Sequence, residues 1–537
     1  MNKKDRLLYE WKRFKAYGIN LVFLSVLTGI FAGVAVTFYN ICTSFGEDCA
    51  RSLYALIVRN PAFIPLLFIG LAAGAVVIGT LVRFIPMIRG SGIPQIEGAA
   101  RGIFGFKWYV VMCAMFASSL ACVFMGLPAG AEGPSIEIGG CAGEAVGSTL
   151  KRSQMIKRLQ IAGGASAGFA VAFNAPVTGL IFSLEEAFRS FSPQVFICSA
   201  VSVISALLVR NGIRSGLGFS VGYAFDGFEF ANIDISAYGF VALAALIVSF
   251  VSAGYYYLML ATKKAFKKIT FFKGAGKFII PFALAGAFGL ITPYSIGGGH
   301  SFIHDISTGG TGNITIQSVF GLGVAASLVV IVLIRFISMT VVSGCGVPVG
   351  AFIPMLAVGA GLGAVLAVAF QAMGMDAAFS DYLIIICMAA FFTCFVRAPI
   401  TGICMIFELT GQFQNFLPAV LGIVIAYLVS ELCRLQPGYE KCLSMFIEEE
   451  GYLKNAKKIR LRVKVCEGSQ ADGGKVRKII WPANGLVVDV TKPDGSTAVP
   501  DGETMLYAGE TITFECETGD EERLKEYLYE IVGRPED

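Results

Sequence analysis

The chain has 537 residues, of which 55% are hydrophobic and 15% are charged, and its mean hydropathy is +0.70. Soluble proteins carry about 25% charged residues, so this composition excludes an ordinary soluble protein and indicates one that is integral to a membrane. The formal net charge of +4 gives no indication of a nucleic-acid partner. The 63 glycines exceed the usual share of about 7% and predict membrane helices that are closely packed or interrupted.

The chain opens with a basic segment. Charged residues between positions 10 and 15 interrupt any early apolar core, so the segment does not fit a cleavable secretion signal. We predict that residues 1–18 form a basic amphipathic helix on the cytoplasmic surface of the membrane. Apolar segments of helical character follow from about Asn20 to Arg434.

The charges of the connecting loops predict their orientation. Basic residues cluster at positions 151–158 and 263–268. The loop at 215–237 has no lysine or arginine and carries Asp226. Cytoplasmic loops carry an excess of lysine and arginine, so the first two loops are expected inside and the third outside. This predicts a multi-pass protein of the cell membrane with both termini in the cytoplasm.

The membrane part contains an internal repeat. Residues 175–180, followed by Glu185, recur 223 positions later as residues 398–403, followed by Glu408. A second block recurs with a shift of 220, in which Gly130, Ala131, Pro134, Gly139 and Gly143 match Gly350, Ala351, Pro354, Gly359 and Gly363. Repeated halves are typical of transporter folds, in which the substrate binds where the halves meet.

We therefore divide the chain into two membrane halves, residues 19–215 and 235–453, and a tail. An odd number of spans in each half would make the repeats inverted, and the interrupted segments leave that number open. From residue 454 to 537 apolar and polar residues alternate between Gly and Pro turns, and a helix is predicted over about 521–532. The tail is predicted to be a small soluble α+β domain, joined by a basic stretch that begins at Lys454.

Three Gly-Pro turns interrupt the apolar segments, at residues 90–94, 130–134 and 350–354. In each turn a proline can open a helix, and glycines let the backbone turn with its amides pointing outward. A helix N-terminus carries about half a positive charge and several free N–H groups. Three such ends meeting at the middle of the bilayer would hold a small anion without lysine or arginine, and partial charges would still allow its release.

The turn residues assigned to this anion pathway are Gly90, Gly92, Pro94, Gly130, Gly133, Pro134, Gly350 and Pro354. Ser91 can donate a hydroxyl hydrogen bond to the anion, and Tyr439 can donate a second from the far end of the membrane part. The alternative for any single turn is a helix break that serves packing alone. Three turns together, two of them related by the repeat, favour an anion site.

Glu132 lies in the second turn, and a charge within an apolar segment costs roughly 2.5–3.5 kcal/mol. When ionised, its carboxylate resembles an anion and can occupy the same positive cradle; when protonated, it loses this attraction and swings aside. Protons and anions would thus compete for one place, which predicts a gate that couples them. The repeat-related position holds Phe352, so the shared architecture does not require the acid. The alternative is an acid that the helix dipole favours.

The repeat also distinguishes two adjacent glutamates, according to whether the repeat-related position holds an acid. Glu185 has a repeat partner, Glu408, and is predicted to be structural. Glu186 corresponds to Leu409 and stands alone, which makes it a candidate proton relay. A helix-end carboxylate at the cytoplasmic surface is the alternative for Glu186.

The remaining chemistry-bearing residues give no site. His300 and His304 follow three glycines in a polar loop, and both are expected on the surface. No spacing indicates a metal site, a cofactor, a nucleotide loop or a nucleophile with its base. No enzymatic activity is therefore expected.

At this point the sequence is recognisable. The three Gly-Pro turns resemble, in this order, the signature motifs of the CLC family of chloride channels and transporters. The resemblance covers roughly residues 1–450 and includes segments 174–176, 397–399 and 436–439. It implies an all-α membrane fold with an inverted internal repeat, and a homodimer in which each subunit has its own pore.

The resemblance also assigns site residues. It implies that chloride is held by Ser91, Tyr439 and the backbone amides near Ala351 and Phe352. Glu132 matches the external gating glutamate of the family.

Glu186 matches the internal proton glutamate, which is typical of the exchangers of the family and usually absent from its channels. The expected function is therefore proton-coupled chloride antiport, with chloride and H⁺ as the transported ions. A passive chloride channel gated by voltage or pH is the alternative. Ala131 stands where many members carry arginine, and Ser91 argues against the fluoride-exporting branch.

The tail, residues 454–537, resembles a TrkA-C (RCK-C) domain, a regulatory module of bacterial cation transport systems. Residues 467–469, 500–502 and 506–509 carry this resemblance. It implies a bacterial protein whose tail binds a small cytoplasmic ligand such as a cyclic dinucleotide, or forms a dimer contact. A purely structural dimer contact is the alternative to a ligand sensor.

Overall fold

The structure is a computed structural model. It describes residues 3–534 except positions 188, 190, 220–221, 223, 226, 231–233, 310, 412–414, 453–456, 480, 483–484 and 519–520. For residues 3–17, 187, 236, 272–273, 518 and 523 it describes the backbone alone. Asp226 of the predicted outer loop and Lys454 of the predicted basic stretch lie outside the described residues.

The described part of the chain is mostly helical. In chain order its α-helices are α1 Lys3–Arg59, α2 Ile64–Phe84, α3 Ile93–Ala100, α4 Trp108–Phe124, α5 Glu132–Thr149, α6 Gln154–Phe173, α7 Pro176–Phe182, α8 Pro193–Gly216, α9 Tyr238–Lys267, α10 Ile279–Ile291, α11 His300–Ile306, α12 Val324–Cys345, α13 Phe352–Ala372, α14 Ser380–Val396, α15 Pro399–Thr410, α16 Phe416–Leu432, α17 Gly438–Glu450 and α18 Glu521–Val532. A π-helical segment, Ser183–Ala187, continues α7.

Eight helical segments among the described residues are long and apolar enough to cross a membrane, judged by length and composition: Gly18–Arg59, Pro61–Phe84, Pro193–Gly216, Tyr238–Lys267, Gly274–Ile291, Val324–Cys345, Phe352–Ala372 and Ala377–Val396. Other helices, such as α3 with 8 residues and α7 with 7, are too short to span. The predicted polytopic, all-α membrane fold with interrupted helices is confirmed.

The N-terminal residues continue directly into the first span. The backbone from Lys3 to Arg59 is one helix of 57 residues, with no break near position 18. The side chains of residues 3–17 are not described, so the amphipathic surface helix stays a prediction.

The two halves repeat the same order of helices. α5 and α6 in the first half correspond to α13 and α14 in the second, and α7 and α8 correspond to α15 and α16, at the shifts seen in the sequence. The halves also meet in a symmetric contact, because Gly130 and Gly350 form an isolated antiparallel pair. Each of these two glycines donates its N–H to the carbonyl of the other, at 2.9 and 2.8 Å.

The repeated glycines of α5 serve helix packing. A side chain at Gly139 would meet the carbonyl oxygen of Gly164 at 2.2 Å, and one at Gly164 would meet that of Gly139 at 2.1 Å. The backbones of α5 and α6 therefore touch. Gly359 and Gly363 of α13 face α14 in the same way, since a side-chain carbon added at either position would lie 2.7–2.8 Å from backbone atoms of α14. Close contact of small residues is a usual means of packing helices in membranes.

The tail folds into a four-stranded antiparallel sheet and a helix. The strands are β1 Lys457–Lys464, β2 Gly485–Thr491, β3 Thr497–Ala498 and β4 Thr511–Thr518, in the spatial order β1-β4-β2-β3. Helix α18 packs its apolar side chains against the sheet, where Leu528, Ile512 and Phe514 belong to one buried cluster. The predicted small α+β domain, including its last helix, is confirmed.

This C-terminal domain docks on helix α6 of the membrane part. The Glu530 carboxylate accepts hydrogen bonds from the N–H groups of Gln154 (3.1 Å) and Met155 (3.4 Å), at the first turn of α6. The buried Arg158 guanidinium donates to the Tyr527 hydroxyl and to the Trp481 carbonyl (3.2 Å). A buried arginine in the membrane part thus depends on partners from the soluble domain.

Candidate functional site: a buried junction of three turns between two cavities

The three Gly-Pro turns come together in the structure. A side chain at Gly133 would meet the Ser91 carbonyl oxygen at 2.5 Å and the Gly350 Cα at 3.1 Å. Gly130 and Gly350 are joined by the two hydrogen bonds described above. The predicted meeting of residues 90–94, 130–134 and 350–354 is therefore present, and it depends on turns in backbone contact.

Each turn leads into a helix. α3 begins at Ile93, α5 at Glu132 and α13 at Phe352. Pro94, Pro134 and Pro354 lie in the first turns of these helices, as predicted. Gly90 and Gly92 both adopt φ of +76°, a left-handed conformation that glycine adopts without strain. Three helix N-termini, each with partial positive charge, therefore face one region of the protein.

A cavity of about 80 Å³, here called the inner cavity, lies against this junction. Ser91, Ala351 and Tyr439 all line it. The hydroxyl of Tyr439 is buried and has no hydrogen-bond partner among the described residues. A buried polar group normally has a partner, so this hydroxyl is available to an occupant of the cavity.

Phe352 contributes to the junction in a different way from Ser91 and Tyr439. It is the first residue of α13 and does not line the inner cavity. Its ring packs on those of Phe173 and Phe392, with centroids 4.8 and 4.6 Å apart. The ring therefore fixes the start of α13.

The wall of the inner cavity is rich in positive charge. Its charged side chains are Arg89, Lys263, Lys267, Lys277 and Glu449. Glu449 accepts from Arg89 at 2.9 Å and pairs with Lys267 at 2.8 Å. Four cations against one carboxylate give a positive surface that raises the local concentration of anions.

Glu132 lies at a second, larger cavity of about 390 Å³, here called the outer cavity. Its side chain is 3% exposed and stands at the first position of α5. Its Oε2 atom is buried and has no hydrogen-bond partner in the described part of the chain. The partial positive charge of the helix N-terminus stabilises a carboxylate at this position.

His300 is exposed, as predicted, but the structure also places it beside Glu132. Nε2 of His300 is 3.7 Å from Oε1 of Glu132, and the ring lines the outer cavity with 46% of its side chain exposed. His300 is the first residue of α11, and a side-chain carbon added at Gly298, two positions earlier, would lie 3.5 Å from the Gly130 Cα. His304 is 70% exposed and pairs with Asp305, as a surface residue does.

A weak signal in the sequence marks His300. Residues 90–92 and 297–299 are both glycine-rich, and each precedes a short helix whose N-cap glycine has positive φ. They form a third repeat block, with a shift of 207 positions. The turn at 297–299 packs against the backbone near Gly130, so the repeat marks this turn but not the contact of His300 with Glu132.

Glu186 lies in the π-helical segment Ser183–Ala187 and is buried. Arg189 contacts both of its carboxylate oxygens at 3.4 Å, and Arg101 donates to its backbone carbonyl at 3.2 Å. Arg189 also pairs with Glu440, the residue that follows Tyr439. Glu186 is therefore connected through one arginine to the helix that carries the Tyr439 hydroxyl.

Two further buried acids were not singled out from the sequence. Glu97 of α3 lies 4.0 Å from Arg101, so it belongs to the same cluster as Glu186. Glu137 of α5 is fully buried, and neither of its carboxylate oxygens has a hydrogen-bond partner among the residues that the structure describes. It packs against Gly92, where an added side-chain carbon would meet Oε2 of Glu137 at 2.0 Å. At the shift of 220, Glu137 corresponds to Ala357, so it is an acid without a repeat partner, as Glu132 is.

A family model and the similar known proteins point to the same family. Residues 73–431 match the family model described as "Voltage gated chloride channel". The H⁺/Cl⁻ exchange transporter ClcA of Vibrio vulnificus is 27% identical over 468 residues, covering 84% of this chain and 97% of that protein. ClcA of Vibrio cholerae serotype O1 is 28% identical over 445 residues, covering 80% and 90%.

Solved structures agree on the fold. A slow cyanobacterial Cl⁻/H⁺ antiporter has a TM-score of 0.71 at 22% identity, covering 80% of this chain and 99% of that one. A eukaryotic CLC transporter has a TM-score of 0.64 at 18% identity, covering 80% and 74%. A CLC-type fluoride/proton antiporter has a TM-score of 0.62 at 19% identity, covering 77% and 96%.

Proposed function

Since this chain belongs to the voltage-gated chloride channel (CLC) family, we propose that it is a secondary active H⁺/Cl⁻ antiporter. The observation that carries the proposal is the position of Glu132, a buried carboxylate with an unused oxygen at the N-terminus of α5. The names of the relatives, H⁺/Cl⁻ exchange transporters, support the same function.

Chloride is proposed to bind at the junction of the three turns. The Ser91 and Tyr439 hydroxyls donate from the inner cavity, and the backbone amides near Ala351 and Phe352 donate from the start of α13. Neutral donors and helix dipoles hold an anion loosely enough for release. The basic wall of the inner cavity supplies anions to this site.

Glu132 is proposed to be the external gate. Its ionised carboxylate occupies the positive N-terminus of α5 in place of chloride. A proton from the outer cavity neutralises it, removes this attraction and lets the side chain leave. Each cycle of displacement thus joins the binding of a proton to the movement of an anion, which is the coupling that antiport requires.

Glu186 is proposed to be the internal proton relay. It is a buried acid that is linked through Arg189 to Glu440, the residue after Tyr439. Buried ionisable residues in membrane proteins usually mark ion or proton pathways. Its carboxylate contacts Arg189, a charge-assisted contact that favours the ionised form until a proton arrives.

A passive chloride channel is the alternative function. A channel needs the junction and Glu132, but it does not need a buried acid on the proton route. The burial of Glu186 beside Arg189 favours the antiporter.

The C-terminal domain is proposed to regulate transport in a bacterial homodimer that lies in the cell membrane with both termini in the cytoplasm. The resemblance to a TrkA-C domain supports the binding of a small cytoplasmic ligand, such as a cyclic dinucleotide, and a structural dimer contact is the alternative. Calorimetry on the full-length protein with a panel of cyclic dinucleotides tests this. Binding that is lost when the chain is ended at residue 452 supports the ligand, and no binding across the panel supports the structural role.

Liposomes containing the reconstituted protein test the main proposal. With a chloride gradient and equal pH on both sides, chloride is the only driving force, so an antiporter must couple chloride flux to net proton movement and build a pH gradient that protons then move against. Glu186→Ala is expected to keep chloride flux and lose proton movement, and Glu132→Ala is expected to lose the coupling as well. If the unmodified protein moves chloride but never moves protons uphill, the channel is the correct function.

A further inference from the structure

We propose that His300 is the proton donor and acceptor for Glu132 on the side of the outer cavity. The inference rests on the proposed antiport, in which Glu132 must exchange protons with water on that side. It adds a residue, remote in sequence, to the proton pathway.

The first observation is the contact itself. His300 Nε2 lies 3.7 Å from Glu132 Oε1. Within the described part of the chain, His300 is the one basic side chain within 4 Å of this carboxylate. Imidazole is also the side chain that most readily gains and loses a proton near neutral pH, since unperturbed histidine has a pKa of about 6.5.

The second observation is access to water. The ring of His300 is 46% exposed to the outer cavity, whereas the Glu132 side chain is 3% exposed. A half-exposed base beside a buried acid is placed to carry protons between the cavity and that acid. The ring is held in place by Phe225, whose centroid is 5.6 Å away.

The third observation concerns the other charges that face the pair. They lie on three neighbouring helices and are Glu47, Asp48 and Arg51 of α1, Arg210 and Arg214 of α8, and Arg335 of α12.

Described contacts engage four of these six groups away from Glu132. Arg51 pairs with Glu47, and Arg210 donates to Asn174 at 2.9 Å. Arg335 donates to the Gly298 carbonyl at 3.1 Å. None of these three arginines contacts Glu132, and arginine does not release its proton at physiological pH. Among the basic side chains that line the outer cavity, His300 is therefore the one placed to exchange a proton with Glu132 at neutral pH.

The proton transfer balances without another reactant. The imidazolium of His300 gives its Nε2 proton to Oε1 of Glu132, and the ion pair becomes a neutral pair. The imidazole then takes a proton from water in the outer cavity. Because 3.7 Å exceeds a hydrogen-bond length of about 2.7–3.2 Å, the step needs a small rotation of either side chain or one intervening water molecule.

The experiment compares His300→Gln with His304→Gln in liposomes, at equal pH on both sides between pH 5.5 and 8.5. The two variants alter the only two histidines of the chain, which lie four positions apart on α11. We expect His300→Gln to slow chloride-driven proton uptake several-fold near pH 7, and we expect added imidazole to restore it. His304→Gln is expected to behave like the unmodified protein, with no response to imidazole.

The outcomes separate this inference from the antiport itself. If the unmodified protein moves no protons uphill, the antiport fails. If it does, and His300→Gln keeps its rate at every pH or its loss is not restored by imidazole, the role of His300 is overturned.

A second route covers the case in which His300→Gln does not fold. In the folded His304→Gln protein, diethyl pyrocarbonate can modify one histidine, His300. Loss of proton uptake that hydroxylamine reverses supports the inference, and uptake that survives full modification overturns it.

Discussion

Glu185 and Glu408 are 223 positions apart, and each caps the N-terminus of a helix in the opposite half of the membrane part. The Glu185 carboxylate accepts from the N–H of Ile400 (3.0 Å) and from the N–H and hydroxyl of Thr401 (both 2.7 Å). The Glu408 carboxylate accepts from the repeat-related groups, the N–H of Val177 and the N–H and hydroxyl of Thr178, at 2.6–2.7 Å.

This exchange has a structural meaning. α7 and α15 each leave N–H groups unsatisfied at their first turn, and the acid of the opposite half satisfies them. The two halves are therefore joined by matching contacts between repeat-related residues. The prediction that Glu185 is structural agrees with these contacts.

We predict that Glu185→Ala and Glu408→Ala each lower the stability of the protein by roughly 2 kcal/mol, since each removes charge-assisted bonds at a helix N-terminus. Thermal unfolding in detergent measures the effect, and the two variants are expected to lower the melting temperature similarly. The ratio of protons to chloride should stay unchanged in the folded fraction. A changed ratio, or a loss in only one variant, would contradict the reciprocal caps.

The neighbouring acid should behave in the opposite way. We predict that Glu186→Gln leaves the melting temperature within a degree or two of the unmodified protein, because the amide keeps the size of the side chain. Proton movement in liposomes should be lost while chloride flux continues. Retained proton movement in Glu186→Gln would exclude this residue from the relay.

The contact between the turns makes Gly350 intolerant of a side chain. We predict that Gly350→Ala reduces transport at least tenfold, because the added carbon would lie 2.6 Å from the Gly130 carbonyl oxygen and 2.9 Å from the Gly133 nitrogen. These are backbone atoms, which cannot rotate away. Chloride flux from liposomes measures the loss.

Gly254 of α9 provides the matched control. A side chain there meets no described atom within 4 Å, and alanine in a helix is favoured over glycine by roughly 0.5–1 kcal/mol. Gly254→Ala should therefore transport normally. Equal flux in Gly350→Ala and Gly254→Ala would show that the turns are not in the contact described.

Docking of the C-terminal domain should depend on Tyr527 and should weaken at alkaline pH. Burial raises the pKa of Tyr527 above its ordinary value of about 10. The docked domain therefore favours the neutral hydroxyl, so its contribution is complete below about pH 10 and is lost as the pH rises through the raised pKa.

Tyr527→Phe removes the hydroxyl that accepts from Arg158, and it should weaken docking at neutral pH and abolish its alkaline dependence. Tyr529→Phe on the same helix is the control. Acrylamide quenching of Trp481, in a background with Trp11→Phe and Trp108→Phe, reports docking because the Trp481 carbonyl accepts from Arg158. Equal quenching in both tyrosine variants at every pH would rule out this contact.

The sequence supports much of this fold because its signals are local or repeated. The alternation and turns of the tail predict a sheet and a helix over about 521–532, and α18 is Glu521–Val532. Glycine and proline at fixed positions predict the helix starts at Ile93 and Phe352. The repeat predicts that Glu185 and Glu408 share a role, although only the structure shows that each serves the other half.

Contacts between distant, unrepeated residues could not be predicted. His300 reaches Glu132 only because the glycine turn at 297–299 packs against the backbone near Gly130. No sequence pattern around either residue indicates this contact. The pairing of Arg158 with Tyr527 likewise joins a membrane helix to a separate domain, 369 positions away. Such contacts follow from how the elements pack, which periodicity does not encode.

The claim that an anion and the Glu132 carboxylate take turns at the N-terminus of α5 is tested most directly by anomalous diffraction from bromide-soaked crystals. Crystals of the unmodified protein and of Glu132→Gln would be compared at the same pH and bromide concentration. The account predicts an additional bromide in Glu132→Gln, at the position that the carboxylate occupies here. Bromide density that is the same in both crystals, or that lies away from the three turns, would contradict it.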